Sequence, residues 1–291
     1  VTSPSLPAHS GDRKPRDEEI DVWGMTHQGK VRKGNEDHFL IGSLRHAIAI
    51  HSTSLPVDRL SELGGERVAF LAMIADGVGG RSGGEEASRL ALEEVNHYVS
   101  QSTQCFYERS GAGEPMIDLL QRVATRSHER VQARAAEQGR QGMATTLTLW
   151  IGVWPWFYLL QVGDSRYYLF RDDTLTQISR DQTMAQELVD QGVLARSALA
   201  TSPLSNVLSS SLGGPQTAPT VTRIASEWPY VHLLCSDGLT KHVSDEQIAE
   251  RLRTIESSQK TCELLVQDAL DGGGSDNITV IVGRATKRDP A

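Results

Sequence analysis

Two pairs of apolar, β-rich runs in this sequence are joined by turns too short for anything but a hairpin. Residues 145–153 and 157–162 flank Trp154-Pro155-Trp156, and residues 167–170 and 175–178 flank Asp172-Asp173. Parallel neighbours need a crossover of a dozen or more residues, so these runs must pair antiparallel. Further apolar runs of strand length lie at 68–75, 231–235 and 277–282. Between them the period changes to that of a helix. Ala87, Leu90, Ala91, Val95 and Val99 share one face of residues 84–100, and Met116, Leu119, Leu120, Val123 and Val131 share another after Pro115. Ser244 and Gln247 have the spacing of a capping box ahead of Ile248, Leu252 and Ile255, and residues 184–191 read as a helix stopped at Gly192. The apolar faces of such helices must cover the sheets. The predicted class is therefore α+β with layered antiparallel sheets, not a doubly wound parallel sheet.

Composition removes several functions. The 291 residues carry 29 Lys plus Arg against 37 Asp plus Glu, a formal charge of −8. That balance argues against a nucleic-acid binder and against a polybasic membrane-surface protein. The longest apolar stretch, 150–162, is interrupted by Pro155 and is too short to span a bilayer. Cys105, Cys235 and Cys262 are too scattered for a disulfide framework, and a reducing, cytoplasmic setting is expected. Residues 1–20 are rich in Pro, Ser and charge and read as a disordered tail; 21–286 read as one domain and 287–291 as a second tail.

The aspartates fall in a pattern. Asp76, Asp164 and Asp237 each follow an apolar run, Asp276 precedes one, and Asp37 abuts another. Any one of them could simply mark a turn. All five at the ends of core strands suggest convergence. Several carboxylates in one cleft repel and need cations, and all-oxygen ligands suit magnesium or manganese. A pair of such ions can aim a hydroxide at phosphorus.

Six ordered blocks carry a family resemblance: V-R-K-G-N-E-D at 31–37, A-D-G-V-G-G at 75–80, G-M-A-T-T at 142–146, V-G-D-S-R at 162–166, C-S-D-G-L at 235–239 and G-S-D-N-I-T-V at 274–280. The chain resembles the bacterial members of the PPM (type 2C) metal-dependent protein phosphatases. The resemblance implies a β-sandwich of two antiparallel sheets flanked by layers of α-helices. It implies two divalent ions, manganese or magnesium, with a third in bacterial members. Asp37 and Asp76 would be the catalytic ligands, Asp76 bridging both ions, and the Gly77 carbonyl would coordinate as well. Asp237 and Asp276 would complete the other position, Glu36 would act through water, and Asp164 with Asp237 would hold the third ion. Arg32 would grip the substrate phosphate. The implied reaction is hydrolysis of phosphoserine and phosphothreonine in proteins by a metal-bridging hydroxide, opposing serine/threonine kinases, one of which would be a substrate. A monomer free of nucleic acid and membrane is expected.

Thr145 and Thr146 read as core strand residues, and Gly79, Gly80, Gly83 and Gly84 as a tight turn into a helix. Asn277 reads as orienting Asp276, and residues 51–65 as a surface loop. Val78 stands where some relatives have histidine, so water is the expected acid for the leaving group. In the segment resembling the mobile flap, about 181–215, Asp181-Gln182-Thr183 replaces the D-H-S common in bacterial relatives. This points to altered substrate preference with the metal ligands intact. Two rivals remain: a catalytically silent phosphoprotein-binding relative, and a hydrolase of another phosphomonoester on the same fold.

Overall fold

The computed structural model describes residues 13–45, 67–78, 83–102, 114–140, 142–199, 201–228 and 230–286. One antiparallel sheet runs in the order β1 (Ile20–His27), β11 (Ile278–Ala285), β10 (Val231–Cys235), β7 (Arg166–Arg171) and β8 (Thr174–Gln177). The other runs β2 (Asp37–Arg45), β3 (Arg67–Val78), β5 (Leu147–Val153), β6 (Trp156–Val162) and β9 (Thr220–Ala225), with β4 (Ala144–Thr145) paired to the end of β3. Both predicted hairpins form. Asp172 and Asp173 take φ of 47° and 63°, the left-handed pair that a two-residue hairpin turn requires and that aspartate tolerates.

Three apolar layers hold these sheets. Between the sheets, Ala72 and Ile74 of β3 and Phe157 and Leu159 of β6 meet Tyr167, Leu234 and Ile281 of the facing sheet. Outside the second sheet, Leu71, Met73 and Ala75 pack under α1 (Gly83–Gln101) and α2 (Glu114–Glu137). Outside the first sheet, Leu233, Cys235, Val280 and Val282 pack under α4 (Asp237–Thr240), α5 (Asp245–Arg253) and α6 (Ser258–Asp271). The expected four layers, helix, sheet, sheet, helix, are present. Each central strand is buried on both faces, which is why 68–75 reads as a continuous apolar run rather than an alternating one. Ser244 and Gln247 close the predicted capping box on α5, and Thr183 caps α3 (Met184–Asp190). Among the described residues no helix is long and apolar enough to cross a membrane.

Some elements escape the sequence patterns. The strands β1 and β9 and the helix α6 are not marked by them; α6 buries Thr261 and Cys262 beside Leu265, Val266 and Ala269, so its face is chemically mixed. The expected tail of residues 1–20 also needs correction. From Arg13 onward the chain is packed: Glu19 is fully buried and accepts hydrogen bonds from Arg13 Nη1 (2.7 Å) and Nη2 (2.5 Å) and from Arg16 Nη2 (3.1 Å). Trp228 Nε1 donates to the Arg13 carbonyl (2.8 Å), and the Thr286 N–H to that of Glu19 (2.7 Å). Charges that composition marks as unburiable are here satisfied by one another. Residues 1–12, 51–65, 79–80 and 287–291 lie outside the described residues.

The layer between the sheets sets their spacing, and Ile74 within it is wholly buried. Ile74→Ala should lower stability by about 2–5 kcal/mol, as cavity-forming truncations do. A urea titration that moves less than this would mean the sheets close over the gap.

Candidate metal centre

The pairing of the strands brings all five aspartates to one end of the sandwich. Asp37 opens β2 and lies directly opposite Asp76 near the end of β3. Asp164 sits in the turn between β6 and β7, where Gly163 holds φ at 102°. Asp237 is the first residue of α4, just past β10, and Asp276 lies two residues before β11, the neighbour of β10. A polar relay ties the sheets together here. Ser236 Oγ and Thr279 Oγ1 both donate to Asp37 Oδ2, at 2.8 and 2.7 Å. Thr279 Oγ1 lies 2.7 Å from Thr26 Oγ1, which accepts from Asn35 Nδ2 at 2.8 Å.

The electrostatics follow from this crowding. Asp37 is almost fully buried, and burial pushes its carboxyl up to about 6 despite the two hydroxyl donors. Burial, then the charges of Asp37, Asp237, Asp164 and Asp276, hold Asp76 well above the usual carboxylate range. Asp164 rises to about 7, through burial and then the charges of Asp237 and Asp181. Burial raises Asp237 too, opposed by Lys241. Asp276 is the exception. Burial works to raise it, but Arg32 and Lys241 outweigh burial and hold it below its ordinary value.

Arg32 meets Asp276 along one edge, Nε to Oδ1 at 2.6 Å and Nη2 to Oδ2 at 2.8 Å, while its side chain stays 53% exposed. Lys241 Nζ lies 2.6 Å from Asp237 Oδ2 and 2.7 Å from Asp276 Oδ2. Glycine at 77 is a steric requirement: a Cβ there would fall 2.3 Å from the Gly84 carbonyl oxygen and 2.8 Å from that of Glu36. The Glu36 carboxylate packs against Gly84 in turn, where a Cβ would lie 2.5 Å from Oε2. Thr145 and Thr146 are buried as expected, and they also support the backbone of Asp76: Thr145 Oγ1 donates to its carbonyl (2.9 Å), and Thr146 Oγ1 accepts from its N–H (3.0 Å).

Asn277 departs from expectation. Only its backbone N–H meets Asp276, donating to Oδ1 at 3.0 Å. Its side chain holds the loop that carries Arg32 and Glu36, donating to the carbonyls of Gln28 and Gly34 (both 2.8 Å) and accepting from the Glu36 N–H (2.9 Å). The sequence reading missed Ser236, Thr279 and Lys241. The signal for Thr279 was a hydroxyl inside an otherwise apolar strand; Lys241 had none beyond its distance of four residues from Asp237.

The donor set fits divalent ions. Among the described residues, Asp37 Oδ1 and Asp237 Oδ1 are buried without a hydrogen-bond partner. Buried carboxylate oxygens left this way call for cations. The arrangement as it stands does not close around one ion: among the described residues no three His, Cys, Asp or Glu side chains form a ready cage.

The flap is rooted beside Asp164. Gln182, at the histidine position of the relatives' pattern, donates its N–H to the Gly163 carbonyl (3.1 Å), accepts from the Gly163 N–H through Oε1 (2.8 Å) and donates to the Ala218 carbonyl (2.9 Å). Asp181 pairs with Arg166, at 2.7 Å from Nη2. Beyond this root, Met184, Val193, Leu204 and Val207 expose apolar side chains.

Known proteins resemble this chain in sequence and fold. The family model described as protein phosphatase 2C matches residues 49–271. The serine/threonine protein phosphatase PstP of Mycobacterium tuberculosis is 36% identical over 225 residues, covering 76% of this chain and 41% of that protein. The chain thus spans about two fifths of the length of that relative. The serine/threonine phosphatase stp of Listeria innocua is 28% identical over 214 residues, covering 73% of this chain and 83% of that protein. The solved catalytic domain of PstP in complex with two manganese ions aligns with a TM-score of 0.70 at 30% identity, covering 92% of this chain and 99% of that one.

The raised carboxyls have a consequence for stability. A carboxyl whose folded value lies above its unfolded one contributes stability that is full below the unfolded value and is lost as pH rises through the folded one. For Asp164 that window runs from about 4, the ordinary aspartate value, to about 7. In chelator-treated protein, Asp164→Asn should therefore gain melting temperature relative to wild type between pH 4.5 and pH 8. A constant difference across that range in calorimetry would show that Asp164 is not under this repulsion.

Proposed function

This chain belongs to the protein phosphatase 2C family, and on that premise we propose that it hydrolyses phosphoserine and phosphothreonine in protein substrates. The observation that carries the reading is five aspartates at one sandwich edge with two buried carboxylate oxygens lacking any donor. Asp37, Asp76, Asp237 and Asp276, with the Gly77 carbonyl, would hold two divalent ions, manganese or magnesium. Glu36 would lie outside them, acting through water, and Asp164 beside Asp237 offers a place for a third. When bound, such ions activate water toward phosphorus and draw charge from the phosphoryl oxygens.

The chain's own groups do the rest. Arg32 presents a planar, permanently charged fork at the exposed rim, suited to phosphoryl oxygens. Its hold on Asp276 keeps that fork over the site before substrate arrives. Ser236 and Thr279 fix the rotamer of Asp37, so its other oxygen points into the cluster without reorganisation. Burial keeps Cys235 up at about 12, which removes it as a nucleophile. His38 is turned to Ser88 Oγ (3.0 Å), and Val78 supplies no proton, so the leaving oxygen takes its proton from water.

The exposed apolar residues of the flap, Met184, Val193, Leu204 and Val207, are the surface on which a protein substrate would lie. This supports a protein rather than a small phosphomonoester as substrate. A serine/threonine kinase in the cytoplasm would be among those substrates. Cys235 and Cys262, both free and buried, accord with a reducing compartment.

Hydrolysis of a phosphothreonine peptide should vanish on chelation, return with manganese, and fall at least ~100-fold in Asp76→Ala, the scale on which lost electrostatic stabilisation of a transition state is felt. Turnover that survives in folded Asp76→Ala would reject the reading. A wild-type protein that binds the peptide with manganese present and never releases phosphate would favour the silent relative.

A further inference from the structure

Lys241 stands across two carboxylates of the acidic cluster. Its Nζ contacts Asp237 Oδ2 at 2.6 Å and Asp276 Oδ2 at 2.7 Å, and its side chain is only 29% exposed. The backbone puts it there. Lys241 is the C-cap of α4 and donates its N–H to the Asp237 carbonyl (2.9 Å), so the two side chains stand one turn apart on the same face. The next residue fixes the other partner. His242 Nε2 accepts the Ser275 N–H at 2.9 Å and lies 2.8 Å from Ser275 Oγ, tying the residue before Asp276 to the residue after Lys241.

The cluster is therefore divided in two. On one side Asp276 has both oxygens engaged, Oδ1 by Arg32 and the Asn277 N–H, and Oδ2 by Arg32 and Lys241. On the other side Asp37 Oδ1 and Asp237 Oδ1 have no donor. An ammonium ion and a divalent ion cannot share the same pair of oxygens, because they repel at contact distance and compete for the same lone pairs.

We propose that Lys241 is a built-in cation that competes with a divalent ion for the Asp237–Asp276 pair. One metal position of this chain is then weak, and it loads only when Nζ withdraws toward solvent. Arg32 holds both oxygens of Asp276 along its Nε–Nη2 edge, so withdrawal of Lys241 frees Asp237 Oδ2 and removes one of the two cations on Asp276 Oδ2. The inference rests on the metal-centre reading above and adds a chain-specific control of its occupancy.

Calorimetric titration of the metal-stripped full chain with manganese tests this apart from catalysis. Lys241→Met keeps an unbranched side chain one atom shorter and removes the charge; Lys241→Gln does the same with a polar end, should Met disturb the fold. In either variant the weakest manganese site should tighten at least tenfold, while Lys241→Arg should stay within a few-fold of wild type. Unchanged or weaker manganese binding in both uncharged variants would overturn the proposal. No manganese heat in wild type or in any variant, with native circular dichroism, would instead remove the metal-centre reading on which it stands.

Discussion

The repulsion among carboxylates at one edge of the sandwich is the constraint around which the rest is arranged. Asp37 and Asp76 face each other across adjacent strands, and Asp164, Asp237 and Asp276 close in from turns and a helix start. Left alone, buried charges of one sign would be expelled or protonated. The fold answers in three ways. It gives Asp37 two hydroxyl donors, it places Arg32 and Lys241 on Asp276 and Asp237, and it leaves two oxygens for cations from outside. Acid strength, metal demand and stability are thus consequences of one electrostatic problem.

That problem is tolerable because the frame beneath it is rigid. Three apolar layers position the two sheets, and the site residues sit within a residue or two of the strand ends. Short tethers transmit the rigidity of the sheets to the loops. The Asn277 amide holds the loop bearing Arg32 and Glu36 from three directions, and Gly29, with φ at 80°, lets that loop press against the Asp276 carbonyl, where a Cβ would fall 2.1 Å away. Tethers of this kind fix the backbone of the site loops ahead of any ligand.

The flap follows a different logic. Its root is fixed to the Asp164 turn through Gln182, whose side-chain amide accepts from the Gly163 N–H and donates to the Ala218 carbonyl. Beyond the root it exposes the apolar residues Met184, Val193, Leu204 and Val207. On the proposed reading, these exposed residues would face a protein substrate, while Gln182 itself is buried at the root.

Much of this was legible in the residues alone. Hairpins joined by two or three residues can pair only antiparallel, and helical stripes must cover a sheet, so the layered α+β class follows from local geometry. The aspartates announced the site because charge at the end of an apolar strand is costly without a purpose. What local pattern could not supply was partnership across the chain. Thr279 and Ser236 look like ordinary small polar residues until β10 and β11 pair and turn both hydroxyls onto Asp37. Arg13 and Glu19 look like a solvated tail until each neutralises the other against Trp228. Lys241 reads as a surface charge until His242 draws the Asp276 loop onto it. Sequence determines where strands, helices and charges must be, because those depend on neighbours a few residues away. Which charges meet depends on contacts between residues far apart along the chain, as in Arg32 and Asp276, 244 residues apart, and only the tertiary structure decides that.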